Sequence, residues 1–251
     1  MDERTEVGLP RAVAIAWGMV EAPTRGPSRG LSHERIVAAG IEIADAEGLA
    51  AVTMARVAEA LGFTTMSLYR YVSGKDELLT LMMDTASRIE EPVRLDPDWR
   101  VALRQWARLL REGTYAHPWT LDMPRTQHSL LMPNAMAVAD LGLQALAGLD
   151  CADDERIAVI LMVSEHVISM VRLELTLAQE GLVELAPEAA AMLAEAITPE
   201  RFPALAQLVA TSGWVFAPDP AAAPDRDLSV DFEYDFGLDR IIAGLEVLSP
   251  P

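Results

Sequence analysis

Thr64, Thr65, Met66, Ser67, Tyr69 and Arg70 put hydroxyls, a thioether, a phenol and a guanidinium on one short stretch of chain. Such groups can touch base edges, thymine methyls and phosphates in a major groove. Lys75 follows at the expected start of a helix, where backbone N–H groups already favour an anion. Thr53, eleven positions before Thr64, is placed to cap the preceding helix and to approach a phosphate.

Groups of this kind read a groove only when a rigid pair of helices holds them out. Two short helices joined by a tight turn must cross steeply. That demands a small residue on the first helix, a glycine in the turn and apolar groups pointing inward. The segment Met54 to Ser73 meets the demand in register. Helices are expected over about 53–61 and 64–71, with Val57, Leu61, Phe63, Leu68 and Tyr71 inward, Ala58 at the close contact and Gly62 in the turn. A helix before them, 33–47, carries Ile36, Val37, Gly40, Ile43 and Ala44 on one face, with Ser32 as N-cap and Gly48 as stop. A helix after them runs from Lys75 towards Ile89 and ends before Pro92, with Ser73 and Asp76 spaced as a capping box.

Taken over the whole chain, the charge balance opposes a nucleic-acid partner. The 251 residues hold 20 Lys and Arg against 38 Asp and Glu, a net charge of −18. The charge is uneven, however. Residues 22–75 carry six basic and five acidic side chains, whereas residues 91–251 carry 11 and 25. A locally basic face can serve a phosphate backbone when the whole chain is acidic. The single cysteine, Cys151, excludes an intramolecular disulfide and fits a reducing cytosol. No run approaches the ~18 apolar residues of a membrane span, and the short apolar run 12–20 lacks a positive flank and a cleavage pattern. A cytoplasmic chain without membrane contact is expected.

Strand signals are nearly absent, so the fold class expected is all-α. The N-terminal part reads as an arm, 1–31, and a three-helix DNA-binding domain, 32–80, with helix 75–89 connecting onward. The remainder, 90–251, reads as a second helical domain. Its helices are expected at about 97–115, opened by Asp96-Pro97, then 133–147, 153–180, 187–196, 199–210, opened by Thr198-Pro199, and 229–248. The stretch 217–227 reads as a Pro/Ala/Asp linker.

Three blocks carry a family resemblance: Thr53 to Phe63, Met66 to Val72, and Lys75 to Leu79. Together they resemble the N-terminal domain of the tetracycline-repressor (TetR) family, over about 33–80. Trp17-Gly18, Arg25-Gly26-Pro27 and Gly30-Leu31 are similar to the arm of an actinobacterial branch, whose regulatory domain the C-terminal helices resemble more weakly. The resemblance implies a homodimeric helical regulator. It implies a double-stranded DNA operator, a small-molecule effector in the C-terminal domain and a four-helix dimer interface. By position it assigns Thr65, Met66, Ser67, Tyr69 and Tyr71 to the recognition helix, and Tyr69 and Lys75 to phosphate. Met66 departs from the small or polar residue common there. The arm residues Arg25 and Arg29 either form a tether or enter the adjacent minor groove.

An apolar effector pocket needs deformable Met and flat aromatic walls with a few polar anchors. Trp106, Trp119, Met123, Met136, Met162, His166 and Met170 are the candidates, each also readable as plain core. The dimer is expected to use apolar stripes on two helices. One is Ile157, Ile160, Leu161, Val167, Ile168 and Val171. The other is Phe232, Phe236, Ile241, Leu245 and Leu248. His117, His128, His166 and Cys151 lack metal-ligand spacing, and no cofactor is implied. No P-loop, dinucleotide fingerprint or nucleophile turn speaks for an enzyme. A helix-turn-helix protein with no effector is the rival reading.

Overall fold

A computed structural model of the chain describes residues 8–20, 30–89, 92–124, 126–180, 186–212 and 230–247. The expected arm contacts Arg25 and Arg29, the whole linker 217–227 and Leu248 lie outside them. Among the described residues the structure is helical throughout, as its sequence predicts, with no strand.

The described residues form eleven α-helices, in order: α1 Arg11–Ala16, α2 His33–Glu47, α3 Met54–Leu61, α4 Thr65–Leu68, α5 Lys75–Ala86, α6 Trp99–Ala116, α7 Pro133–Ala145, α8 Asp153–Glu180, α9 Pro187–Ala196, α10 Pro203–Ser212 and α11 Val230–Leu245. Short 3₁₀ turns lie at Leu49–Ala51, Pro118–Asp122 and Gln127–Leu131. The chain forms two compact units. One comprises residues 1–171 and 237–251, the other residues 172–236.

Within the first unit, α1 to α5 surround one apolar core. Ile36, Val52, Val57, Leu68, Val72, Leu78 and Met82 are fully buried there, each worth roughly 1.5–3 kcal/mol of apolar transfer. Ser32 and Thr53 cap α2 and α3, their hydroxyls accepting from the N–H of Arg35 at 3.3 Å and of Arg56 at 3.1 Å. Gly62 closes α3 in the left-handed region (φ 74°), which a side chain would strain. Gly40 lets α5 come close: a Cβ there would lie 2.7 Å from the Met82 sulfur.

Several sequence expectations need correction. Residues 11–16 are not arm but the helix α1, with Ala12, Val13, Ala14 and Ile15 buried. Six residues are too few to hold a helix alone, so packing on α5 stabilises it. The third helix is shorter than 64–71. After Leu68 the chain tightens, with the Tyr71 N–H donating to the Leu68 carbonyl at 2.8 Å. Helix α5 ends at Ala86, and Asp76 does not form its capping box. Gly74 is the N-cap, so Glu77 stands at the third helical position and reaches back to Ser73. Asp98, not Asp96, caps α6, accepting from the Arg100 N–H at 2.9 Å.

The rest of the first unit packs around two tryptophans. Trp99 and Trp106 of α6 are buried with Ala102 and Leu103. Trp106 lies on Gly142 of α7, where a Cβ would meet its ring at 2.7 Å, and its indole N–H donates to the Val138 carbonyl at 3.0 Å. Of the expected dimer stripe on α8, Ile160, Val167 and Val171 are buried within the chain, whereas Ile157 and Leu161 are each 51% exposed. On α11, Leu245 is buried by the chain itself and Phe232 and Phe236 are exposed. In the second unit α10 begins at Pro203 rather than Pro199, because Arg201 and Phe202 close a separate turn on the Thr198 carbonyl.

Candidate nucleic-acid interface

The apolar register of α3 and α4 decides what is left outside. Leu68 is buried completely, which turns its neighbours outward. Met66 is 72% exposed and Tyr69 47%. Thr64 and Arg70 are exposed, and Thr65 and Ser67 are half-buried. The Thr64 and Ser67 hydroxyls bond each other at 3.0 Å across the first turn of α4. Thr53 is exposed at the start of α3, and Lys75 is half-buried at the first position of α5. Thr53, Thr64, Thr65, Met66, Ser67, Tyr69, Arg70 and Lys75 thus stand at the starts of three helices and along one short one. Tyr71 does not join them. It is 4% exposed, with its ring edge-on to His33 at 5.5 Å, so it belongs to the core that fixes α4 rather than to the outward face.

Groups absent from the sequence reading hold this face in place. Arg11 of α1 pairs with Glu77 of α5 and donates to the Tyr71 carbonyl at 3.0 Å. The His33 Nε2–H donates to the same carbonyl at 2.9 Å. The charge of Arg11 after a proline is a faint sequence signal, because its partner lies 66 residues away.

The segment between α6 and α7 is tied to these helices at three points. Asp45 of α2 accepts the Trp119 indole N–H at 2.7 Å and the His117 Nδ1–H at 2.9 Å. Asp84 of α5 accepts the Asn134 backbone N–H and the Asn134 side-chain N–H, each at 2.9 Å, and the Ala135 N–H at 3.3 Å. Asp84 therefore caps α7 from another helix. Burial pushes its carboxyl above the ordinary Asp range, against the lowering effect of those three donors. The Trp17 indole N–H donates to the Leu131 carbonyl at 2.8 Å. Trp119 and Met132 are buried in the same core as α2 and α5, with Met123 packed beside them.

These ties scatter the effector candidates. Trp119 lies in the core of the first five helices with Met123 packed against it, and Trp106 fills the contact of α6 with α7. His166 lies against Gly237 of α11, Met170 is half-buried, and Met136 and Met162 are 41% and 44% exposed. None of the seven lines the open depression of about 430 Å³ between residues 93–97 and the end of α7. Among the described residues no three His, Cys, Asp or Glu side chains gather as a metal site, and no helix is long and apolar enough to cross a membrane.

Comparison with known proteins agrees with this geometry. Residues 36–82 match the model of the bacterial regulatory proteins of the tetR family, and residues 91–249 match that of the tetracyclin repressor-like C-terminal domain. The HTH-type transcriptional repressor DrrR1 of Streptomyces coeruleorubidus is 36% identical over 248 residues, 96% of this chain and 86% of that one. An HTH-type transcriptional regulator of Saccharopolyspora erythraea is 32% identical over 171 residues, 68% of this chain and 70% of the other. Among solved structures, the TetR family protein ActR of Streptomyces coelicolor in complex with (S)-DNPA is 28% identical, with a TM-score of 0.63 over 86% of this chain and 97% of its own.

Proposed function

Because the chain belongs to the TetR family of bacterial regulatory proteins, we propose that it is a homodimeric, ligand-responsive repressor, released from a palindromic operator by a small apolar or amphipathic effector. The observation that carries the reading is the outward face of α4. Exposed Met66 stands on a helix whose one fully buried side chain is Leu68, and exposed Tyr69 and Arg70 follow directly at its C-terminal end. In a major groove Met66 suits a thymine methyl, the hydroxyls and Tyr69 suit base edges and phosphate, and Lys75 brings a cation to a helix N-terminus. The repressor name of DrrR1 supports repression, and the ActR complex supports a small-molecule effector. The exposed Ile157 and Leu161 on α8, with Phe232 and Phe236 on α11, support a second copy as partner.

The mechanism is a population shift. Residues 32–80 read DNA and residues 90–251 bind effector, with α5 between them. A ligand that favours one placement of residues 117–135 would act on α2 and α5 through Asp45 and Asp84. It does so only by its differential affinity for the two states. In vitro selection from random duplexes tests the reading. An inverted repeat with half-sites about 34–36 Å apart is expected, and no enrichment over the input library would overturn it. The scatter of the effector candidates favours the rival, a regulator without effector. A thermal-shift panel decides between them, since a bound effector raises the melting temperature.

A further inference from the structure

We propose that Arg11 is a positioning residue for DNA reading: from a helix outside the helix-turn-helix it holds the turn that links α4 to α5. The inference rests on the DNA-binding role of α4 proposed above. Residues 71–74 form that turn, and both Tyr69 before it and Lys75 after it take their direction from it. One guanidinium spans the turn. It pairs with Glu77 in the first turn of α5 and donates to the Tyr71 carbonyl at 3.0 Å. Glu77 in turn accepts the Ser73 N–H and the Ser73 hydroxyl, each at 3.0 Å. Two side chains therefore fix residues 71, 73 and 77 against one another. A planar fork can serve a carboxylate and a carbonyl together, which a lysine ammonium does less well.

Charge adds a second reason for Arg11. Glu77 is an anion at the positive end of α5, where its side chain is only 7% exposed. Without Arg11 it would keep only the two Ser73 donors and the helix end, and its charge would oppose the potential that draws a phosphate to Lys75. Arg11 neutralises it. Arg11 is itself anchored, because Ala12, Val13 and Ile15 beside it are buried in the same core as Leu68 and Leu78. The guanidinium is engaged inward on both partners, so its influence on DNA passes through the turn.

A double-mutant cycle with Lys75 tests this, using the in vitro selected duplex and fluorescence anisotropy at several salt concentrations. Arg11→Met is expected to weaken binding on the order of tenfold and to lower the salt slope by about one, as loss of one phosphate contact does. Lys75→Ala should do much the same in the wild type but add little in the Arg11→Met background. Additive losses would make Arg11 an independent contact and overturn the inference. So would unchanged binding by folded Arg11→Met. Arg11→Met/Glu77→Gln removes the carboxylate that the single change strands, and it serves as a second background with the same expectation. Failure of the DNA-reading proposal itself looks different: the wild type would then bind no duplex.

Discussion

Thr64, Ser67 and Tyr69 reach their places because Leu68, within four residues of each, is buried. Trp119 reaches its place because Asp45, 74 residues earlier, accepts its indole N–H. The first five helices thus turn their outward face by neighbours in sequence, while Arg11 and His33 brace it from farther along the chain. The segment after α6 takes its position from partners far away. The contrast shows where function is written locally and where it depends on the assembled core. A helix-turn-helix states its use through spacing, whereas a regulatory half states only that it has side chains to spend on packing.

That contrast can be broken at Trp106. Trp106→Ala is expected to destabilise the chain by roughly 3–5 kcal/mol, as loss of a buried aromatic does, while the protein that stays folded keeps its DNA affinity. Urea unfolding beside anisotropy checks this, and a parallel loss of affinity would show that the two regions are less separate than drawn. A smaller effect is expected at their joint. Asp84→Ala leaves the α7 N–H donors without their acceptor and should cost roughly 1–3 kcal/mol. An unchanged urea midpoint would mean that the tie between α5 and α7 contributes nothing.

The smallest effect concerns pH. Burial raises the Asp84 carboxyl in the folded chain, so the folded state holds that proton more tightly than the unfolded state does. Stability from this group is therefore present at low pH and falls as pH rises from the ordinary Asp value through the raised one. The stability of the wild type relative to Asp84→Asn should decline across that window and be level above it. Urea midpoints at stepped pH measure the difference, and a difference that grew with pH would contradict the assignment.

How much was legible follows the same division. The caps Ser32 and Thr53, the turn at Gly62 and the buried Val57 and Leu68 all follow from spacing within a few residues. Tyr71 is instructive, because its apolar register placed it inward while resemblance placed it on DNA, and the register prevailed. Helix α1 is not legible because six residues carry too little periodicity, and its Arg11 has meaning only beside Glu77. The effector candidates came from composition, which does not encode location. Trp119 therefore lies in the core of the first five helices, with Met123 half-buried against it. The α10 boundary was displaced because Pro199 and Pro203 both suit a helix start, and only the turn on Thr198 chooses between them. The net charge of −18 does not weigh against DNA once the excess is placed after residue 90.

The central claim is that α4 reads DNA through its exposed face. Tyr69→Ala tests it most directly, in a gel-shift assay on the selected duplex with the mass of the protein measured in parallel. The account predicts that binding is lost while the two-subunit mass persists. Unchanged binding by Tyr69→Ala would contradict it.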